Sequence, residues 1–315
     1  MAIDRPVRVA FVGAGPIGIA HLKAFRSIGV EVVGLCTKGA DTGAALAVEH
    51  GFPMYASSIR ELYERTQADA VVAALPIAEM LNAYRELFAF PWASLTEKPM
   101  GVDLREAREI ASIADFAHHR GFVGFNRRHY QATRTALHAI STRTAPRVVT
   151  VLDQQDRDQA LRSGHPLAVA ENFMYANSIH LIDYFSMFCR GTLSDVRPLR
   201  PWTGARGCTV EVELAFNSGD VGRYKAVWEQ KGPWAVEVTS GDITAVMRPL
   251  EKLALMEDGR DVDPFVDFSV DENFKPGFVV QAESFIDALS GNPGCPTIDD
   301  AIATTELVSA IYQLS

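Results

Sequence analysis

Lys98 stands where an apolar run, Phe88 to Leu95, gives way to Glu97-Lys98-Pro99. A lysine at the carboxyl end of a buried parallel strand faces the crevice in which open α/β sheets bind ligands, and partial burial there lowers its pKa towards neutrality. Pro99 ends the strand's hydrogen bonding and holds Lys98 to extended geometry. The competing reading is a strand that simply ends in a solvated Glu-Lys pair. A second set of polar groups lies in Glu171 to Cys189, an apolar segment of helical spacing. On one face of that helix Asn177, His180 and Tyr184 present an amide, an imidazole and a phenol that can converge on a ligand. An imidazole that titrates near neutrality and a lysine with a lowered pKa suit proton transfer to and from a hydroxyl.

The amino-terminal part of the chain offers a place for a dinucleotide. Val7 to Val12 is a short β-branched run that leads into Gly13-Ala14-Gly15-Pro16-Ile17-Gly18, followed by the helix-like Ile19 to Ile28. In a strand-turn-helix context Gly13 permits the tight turn, Gly15 lets the backbone approach a pyrophosphate and Gly18 lets helix and strand pack closely. The helix N-terminus, with Pro16 and Ile17 in its first turn, then faces the phosphates. A second strand, Val30 to Cys36, ends in Thr37-Lys38 with no acid in place to bind adenine ribose hydroxyls. A hydroxyl and a cation there favour NADP(H) over NAD(H), and Asp41 in the following loop keeps NAD(H) as the alternative.

Strand and helix continue to alternate through Asp41 to His50, Ser57 to Arg65, Ala70 to Leu75, Glu79 to Phe88, Phe90 to Leu95, Leu104 to His119 and Gly121 to Phe125. Five or six strands separated by helices predict a right-handed parallel sheet, with Glu97-Lys98-Pro99 at its carboxyl edge. Beyond Asn126 the pattern changes. Val148 to Leu152, Thr209 to Phe216, Val221 to Val227, Ala235 to Thr239 and Ile243 to Met247 are strand-like, without a helix between each pair, and are expected to pair antiparallel. Asn217-Ser218-Gly219-Asp220 and Ser240-Gly241-Asp242 read as hairpin turns. Asp153 to Ala170 reads as a long irregular substrate loop or lid carrying Arg157, Arg162 and His165, with Asn172 just beyond it. Lys275-Pro276-Gly277-Phe278 reads as a capping turn before the final helices.

Composition bounds the partners. With 315 residues, 48% hydrophobic and 22% charged, the chain can bury the core of a soluble two-domain protein. A net charge of −9 argues against nucleic acid or an anionic membrane, and no run reaches the length of a membrane span. The cysteines show no dense disulfide pattern, so a reduced cytoplasm is expected, and the start shows no signal-peptide architecture. Four cysteines have no metal-ligand spacing, and His118-His119 has no matching ligands, so no metal site is expected.

Taken in order, Gly13-x-Gly15-x-x-Gly18-x-x-His21, Asp69-Ala-Val-Val-Ala-Ala-Leu75-Pro76, Glu97-Lys98-Pro99, Gly124-Phe-Asn-Arg127-Arg128 and Asn177-Ser-Ile-His180-Leu-Ile-Asp183 resemble the glucose-fructose oxidoreductase, inositol dehydrogenase and rhizopine catabolism (Gfo/Idh/MocA) family over nearly the whole chain. The resemblance implies an α/β protein, with a Rossmann domain over residues 1–124 and a substrate-binding and oligomerisation α/β domain over 125–315 built on an open, mostly antiparallel sheet. It implies oxidation or reduction of a sugar or cyclitol hydroxyl, and dimers or tetramers formed through that sheet. Leu75, Pro76, Glu97 and Lys98 join the cofactor set, and Arg127, Arg128 and Tyr130 fall where the family contacts substrate. Its motifs also carry a catalytic role to His180 and Asp183 beside Lys98, with Glu97 and Asp183 orienting Lys98 and His180.

The chain departs from that pattern at Ala176, where the family's sugar dehydrogenases carry an Asp that supports the proton relay. Ser178 replaces the usual Gly, and Met80 replaces a usual His near the cofactor. The expected function is therefore an NAD(P)-dependent oxidoreductase acting on a ring carbon of a sugar-like substrate, free, phosphorylated or nucleotide-linked. Two alternatives are a non-turnover NAD(P)- and sugar-binding sensor, and an enzyme that uses a tightly held cofactor transiently for elimination or glycoside cleavage.

Overall fold

The computed structural model describes residues 5–230, 232 and 234–314. The chain forms two compact units. One takes in the chain through Asn126 together with Glu272–Ile302, and the other comprises Arg127–Asp271 together with the segment from Ala303 on. The expected division at 124/125 assigns the whole remainder to one domain, whereas Glu272–Ile302 groups with the amino-terminal residues. The reason is packing: within the helix Phe278–Leu289, Phe285 sets its ring against Phe25 and Phe122, at 6.0 and 5.6 Å between centroids.

The first unit is built on six parallel strands: β1 (Arg8–Val12), β2 (Glu31–Cys36), β3 (Tyr55–Ala56), β4 (Ala70–Ala73), β5 (Ala93–Glu97) and β6 (Gly121–Gly124). They stand in the order β3-β2-β1-β4-β5-β6, with the strand order reversing beside β1. Val9, Phe11, Leu35, Val72 and Leu95 are almost wholly buried, as expected of strands covered on both faces. Ser58 and Asp103 cap the helices Ile59–Thr66 and Leu104–Phe116 by accepting from the Glu61 and Glu106 amides at 3.1 and 2.8 Å. These caps fix where each helix leaves its connecting loop, and so where the carboxyl ends of the strands lie open.

The second unit holds an eight-stranded sheet, β14-β13-β12-β11-β7-β10-β9-β8. Its strands are β7 (Arg147–Gln155), β8 (Leu193–Arg200), β9 (Thr209–Phe216), β10 (Val221–Trp228), β11 (Ala235–Ser240), β12 (Ile243–Met247), β13 (Ala254–Glu257) and β14 (Arg260–Val262). Every neighbouring pair is antiparallel except β7 and β10, which run parallel from Val148 beside Val221 to Gln155 beside Trp228. The sheet is thus mostly antiparallel, as expected, with this one parallel pair among the strands read as pairing antiparallel: the helix Ile179–Phe188 lies in the connection that leads on from β7, as parallel neighbours require. Burial alternates strictly along β7, so one face of the sheet is covered and the other half-exposed. β7 continues to Gln155, three residues past the expected end, because Asp153 and Gln155 occupy inward positions that an apolar pattern cannot reveal. The stretch read as an irregular loop contains two short helices, Arg157–Arg162 and Leu167–Glu171.

Candidate active site

In the first unit β1 turns at Gly13, whose φ of +94° belongs to glycine. A Cβ there would stand 2.1 Å from the Ala74 carbonyl oxygen and 3.6 Å from the Leu75 side chain. A Cβ on Gly18 would meet the Gly13 carbonyl at 2.3 Å, while nothing lies within 4 Å of the Cβ position of Gly15. The helix Pro16–Ser27 begins at Gly15 with no side-chain cap, and Ile17 in its first turn is exposed. Two glycines are thus forced by backbone contacts, and the third leaves open space before uncapped amides. That arrangement fits a pyrophosphate.

The end of β2 places Thr37, whose carbonyl accepts from the Tyr55 hydroxyl at 3.1 Å, and Lys38, which pairs with Glu79 at 2.6 Å on the surface. The cation read as a phosphate ligand therefore has a carboxylate beside it. Leu75 and Pro76 follow β4 next to the glycine turn, and Met80 is buried.

At the end of β5, Glu97 reaches the His21 imidazole at 2.7 Å, and that ring packs on Phe278 with 4.4 Å between centroids. The carboxylate expected to orient Lys98 is thus engaged with a buried histidine. His21 is a residue that the motif spacing pointed to without assigning it a role. Gly124 makes room for this contact, since a Cβ there would stand 2.8 Å from Glu97 Oε1 and 3.3 Å from Gln281 Nε2. Lys98 is half-buried, directly after the last residue of the strand, and its bond to Pro99 is cis.

In the second unit a π-helical turn, Met174–Ser178, precedes the helix Ile179–Phe188. This turn alters the expected facial pattern, because it breaks the α periodicity between Asn177 and Tyr184. Tyr184 is fully buried, bonds the Thr133 hydroxyl at 3.1 Å and stacks on Phe188, so it is a core residue rather than a ligand contact. Ala176 is buried and His180 nearly so. Asp183 is gripped by Arg128 through Nε at 2.7 Å and Nη2 at 2.6 Å, and accepts from Thr304 at 3.1 Å. Arg127 lies 4.3 Å over the Trp234 ring, and Tyr130 is buried.

Asn177 opens onto a cavity of about 360 Å³ that is also lined by Gln154, Gln155, Gln159, His165 and Trp234. The amide side chains at the end of β7 and the Trp platform were not singled out in sequence, since polar residues at a strand end resemble a loop. Of the residues expected on a substrate loop, His165 lines this cavity. Arg157 instead binds Glu229 at 2.7 Å and the Gly204 carbonyl at 2.9 Å. Among the described residues no group of three or more His, Cys, Asp or Glu could hold a metal ion, and no helix is long and apolar enough to cross a membrane.

A six-stranded parallel sheet with a glycine turn after its first strand, joined to a mostly antiparallel α/β unit, defines a Rossmann-type dinucleotide-binding protein with a second domain. Residues 7–125 match the sequence model of the Gfo/Idh/MocA oxidoreductase family, described as having an NAD-binding Rossmann fold. A 71-residue segment is 32% identical to 4-carboxy-2-hydroxymuconate-6-semialdehyde dehydrogenase of Sphingobium sp. (strain NBRC 103272 / SYK-6) and spans 22% of this chain and 22% of that enzyme. The fold is shared with levoglucosan dehydrogenase in complex with NADH and levoglucosan, at a TM-score of 0.79 and 17% identity over 98% of this chain and 97% of that one. It is likewise shared with the WlbA dehydrogenase of Bordetella pertussis in complex with NADH and UDP-GlcNAcA, at a TM-score of 0.78 and 18% identity over 99% and 96%. UDP-N-acetylglucosamine 3-dehydrogenase of Acidithiobacillus ferrooxidans gives 0.74 and 19% over 98% and 96%.

Proposed function

We propose that the protein is an NAD(P)-dependent dehydrogenase or ketoreductase of a sugar-like substrate, with Lys98 and His180 as its acid-base groups. The observation that carries the reading is the position of Lys98 directly after β5, at the carboxyl edge of the sheet that opens with the Gly13 turn. When bound, a nicotinamide supplies the hydride acceptor or donor. In oxidation His180 takes the hydroxyl proton while Lys98 donates a hydrogen bond to the developing alkoxide, and in reduction the same groups donate and polarise. Gly13, Gly15, Pro16, Ile17 and Gly18 hold the pyrophosphate, with Leu75, Pro76 and Glu97 around the cofactor. Asn177 faces the sugar, Asp183 with Arg128 steadies the helix that bears His180, and Arg127 and Tyr130 flank the substrate region. Thr37 and Lys38 favour NADP(H) to the extent that Lys38 leaves Glu79. Leu193 and Leu199, exposed on the edge strand β8, support assembly as a dimer or tetramer.

Lys98→Ala and His180→Ala are each expected to abolish turnover, followed by nicotinamide absorbance with candidate sugars, while leaving cofactor affinity nearly intact. Wild-type turnover in either variant removes the assignment. The apolar Ala176, where a relay acid is expected, favours one second reading, a ligand sensor that binds NAD(P) and sugar without turnover. That reading requires sugar-dependent stabilisation with no change in nicotinamide absorbance.

A further inference from the structure

Beneath the π-helical turn lies a chain of buried polar groups that the acid-base scheme does not use. Asp153 Oδ1 accepts from its neighbour's amide, Gln154 N, at 2.6 Å and from Gln155 Nε2 at 2.7 Å. Asp153 Oδ2 accepts from the Tyr224 hydroxyl at 2.6 Å, and that hydroxyl meets Tyr312 at 2.9 Å. The Gln155 carbonyl in turn accepts from Asn177 Nδ2 at 3.0 Å. Asp153, Gln155, Tyr224 and Tyr312 are all within a few per cent of complete burial, and Gln155 and Asn177 are the members that line the cavity.

The direction of these bonds is not arbitrary. An amide side chain can present either its N–H or its carbonyl to a neighbour, and burial makes a mismatched pair costly. Oδ1 of Asp153 already accepts a backbone N–H, so it can only accept again, and Gln155 must turn its Nε2 towards it. The carbonyl of Gln155 then faces Asn177, which must answer with Nδ2. The Asn177 carbonyl is left on the side away from Gln155. Burial pushes the Asp153 carboxyl above the usual carboxylate range, against the hydrogen bonds that lower it.

We propose that Asp153 is a positioning residue that sets, through Gln155, the hydrogen-bonding polarity of Asn177, so that the cavity presents a carbonyl acceptor to a hydroxyl of the ligand. The inference rests on the reading that this cavity receives the sugar. It gives a buried carboxylate on β7 a part in ligand recognition at a site where the helix itself carries Ala176 in place of an acid.

The test uses the full chain, isotope-labelled for side-chain amide resonances, with the Asn177 signal assigned by its loss in Asn177→Ala. Asp153→Leu removes the acceptor that orders Gln155 and is expected to displace the Asn177 signal although Gln155 stands between them. Asp153→Asn is expected to leave it in place, because the Gln154 amide holds the new carbonyl at the Oδ1 position, where it still accepts from Gln155 Nε2. Tyr224→Phe removes the contacts to Oδ2 and to Tyr312 and is expected to lower stability while leaving the Asn177 signal in place. With levoglucosan and UDP-N-acetylglucosamine as probes, Asp153→Leu should weaken binding about tenfold, the worth of one hydrogen bond, and Asp153→Asn should keep it. An Asn177 signal unmoved by Asp153→Leu, or displaced by Asp153→Asn or Tyr224→Phe, overturns the polarity assignment. Expected amide shifts with probe affinity unchanged in Asn177→Ala would instead leave the coupling intact and remove the sugar from the cavity.

Discussion

Arg128 holds both carboxylate oxygens of Asp183, at 2.7 Å through Nε and 2.6 Å through Nη2, with the Asp183 side chain almost wholly buried. Three residues on from His180 in the same helix, this pair ties the imidazole's helix to the segment that follows Asn126. Removing one partner of a buried pair leaves an uncompensated charge, so Arg128→Ala is expected to cost about 3 kcal/mol of unfolding free energy. Arg128→Lys loses the bidentate geometry and recovers only part of it. Replacing both residues by apolar ones of similar volume should cost less than Arg128→Ala alone, which denaturant melts of the three variants measure directly.

The first sheet was legible because parallel strands covered on both faces read as continuous apolar runs, and because Gly13 and Gly18 announce a turn that backbone contacts make obligatory. β8, β13 and β14 were not, since they are short or exposed strands, and β8 carries Pro198 at the sheet edge. Asp153 and Gln155 were read as the start of a loop because hydropathy treats any polar residue as outward-facing, whereas here each polar group is satisfied by another. Tyr184 was misplaced for a related reason: i, i+3, i+4 reasoning assumes an α-helix throughout, and one π turn is enough to redirect a face. The arrangement around Lys98 was legible in position but not in partner, because the link from His21 to Glu97 joins residues far apart in sequence.

On the proposed reading of Lys38 as a 2′-phosphate ligand, Glu79 competes with the cofactor for it. The pair is exposed, with side-chain accessibilities of 83% and 43%, and contacts of that kind are worth well under about 1 kcal/mol. Glu79→Gln should therefore raise NADP(H) affinity, by about fivefold, as it removes both a competitor for Lys38 and a charge that repels a 2′-phosphate. Lys38→Ala should lower NADP(H) affinity by a similar factor and leave NAD(H) unchanged. Calorimetric titration of both cofactors decides this, and equal responses to the two cofactors would remove Lys38 from the adenine site.

Two imidazoles make the fold acid-sensitive. Burial, aided by the charges of Arg128 and Arg134, brings His129 down to about 4, and burial brings His119 to about 4 against hydrogen bonds to the backbone of Phe88 and Phe90. The unfolded chain takes up these protons from the ordinary value of 6.5, so stability is full above that pH, falls as the pH drops from 6.5 to about 4 and levels off below it. Each ring adds a slope of about 1.4 kcal/mol per pH unit in that window. His129→Gln should flatten the dependence of the melting temperature on pH between those limits, whereas a variant that keeps the full slope would place the acid sensitivity elsewhere.

Gly15 and Gly18 lie three residues apart in one turn and should fail in different ways. At Gly18 an added methyl meets the Gly13 carbonyl at 2.3 Å, backbone against backbone, so Gly18→Ala must move β1 or the helix Pro16–Ser27. Overpacking of that kind costs about 1–3 kcal/mol, and cofactor binding is lost with it. At Gly15 the backbone is extended, at φ −70° and ψ 177°, and no atom of the protein lies within 4 Å of the added carbon. Gly15→Ala should then melt within a degree or two of the parent, since only the N-cap preference of about 1 kcal/mol opposes it. The methyl instead occupies the space through which a pyrophosphate approaches the helix amides, and NAD(P)H affinity should fall at least about tenfold. Melting curves and cofactor fluorescence titrations on the two variants separate a glycine that the protein itself requires from one that only a ligand requires. Unimpaired binding in Gly15→Ala would mean that the phosphates do not pass over this turn.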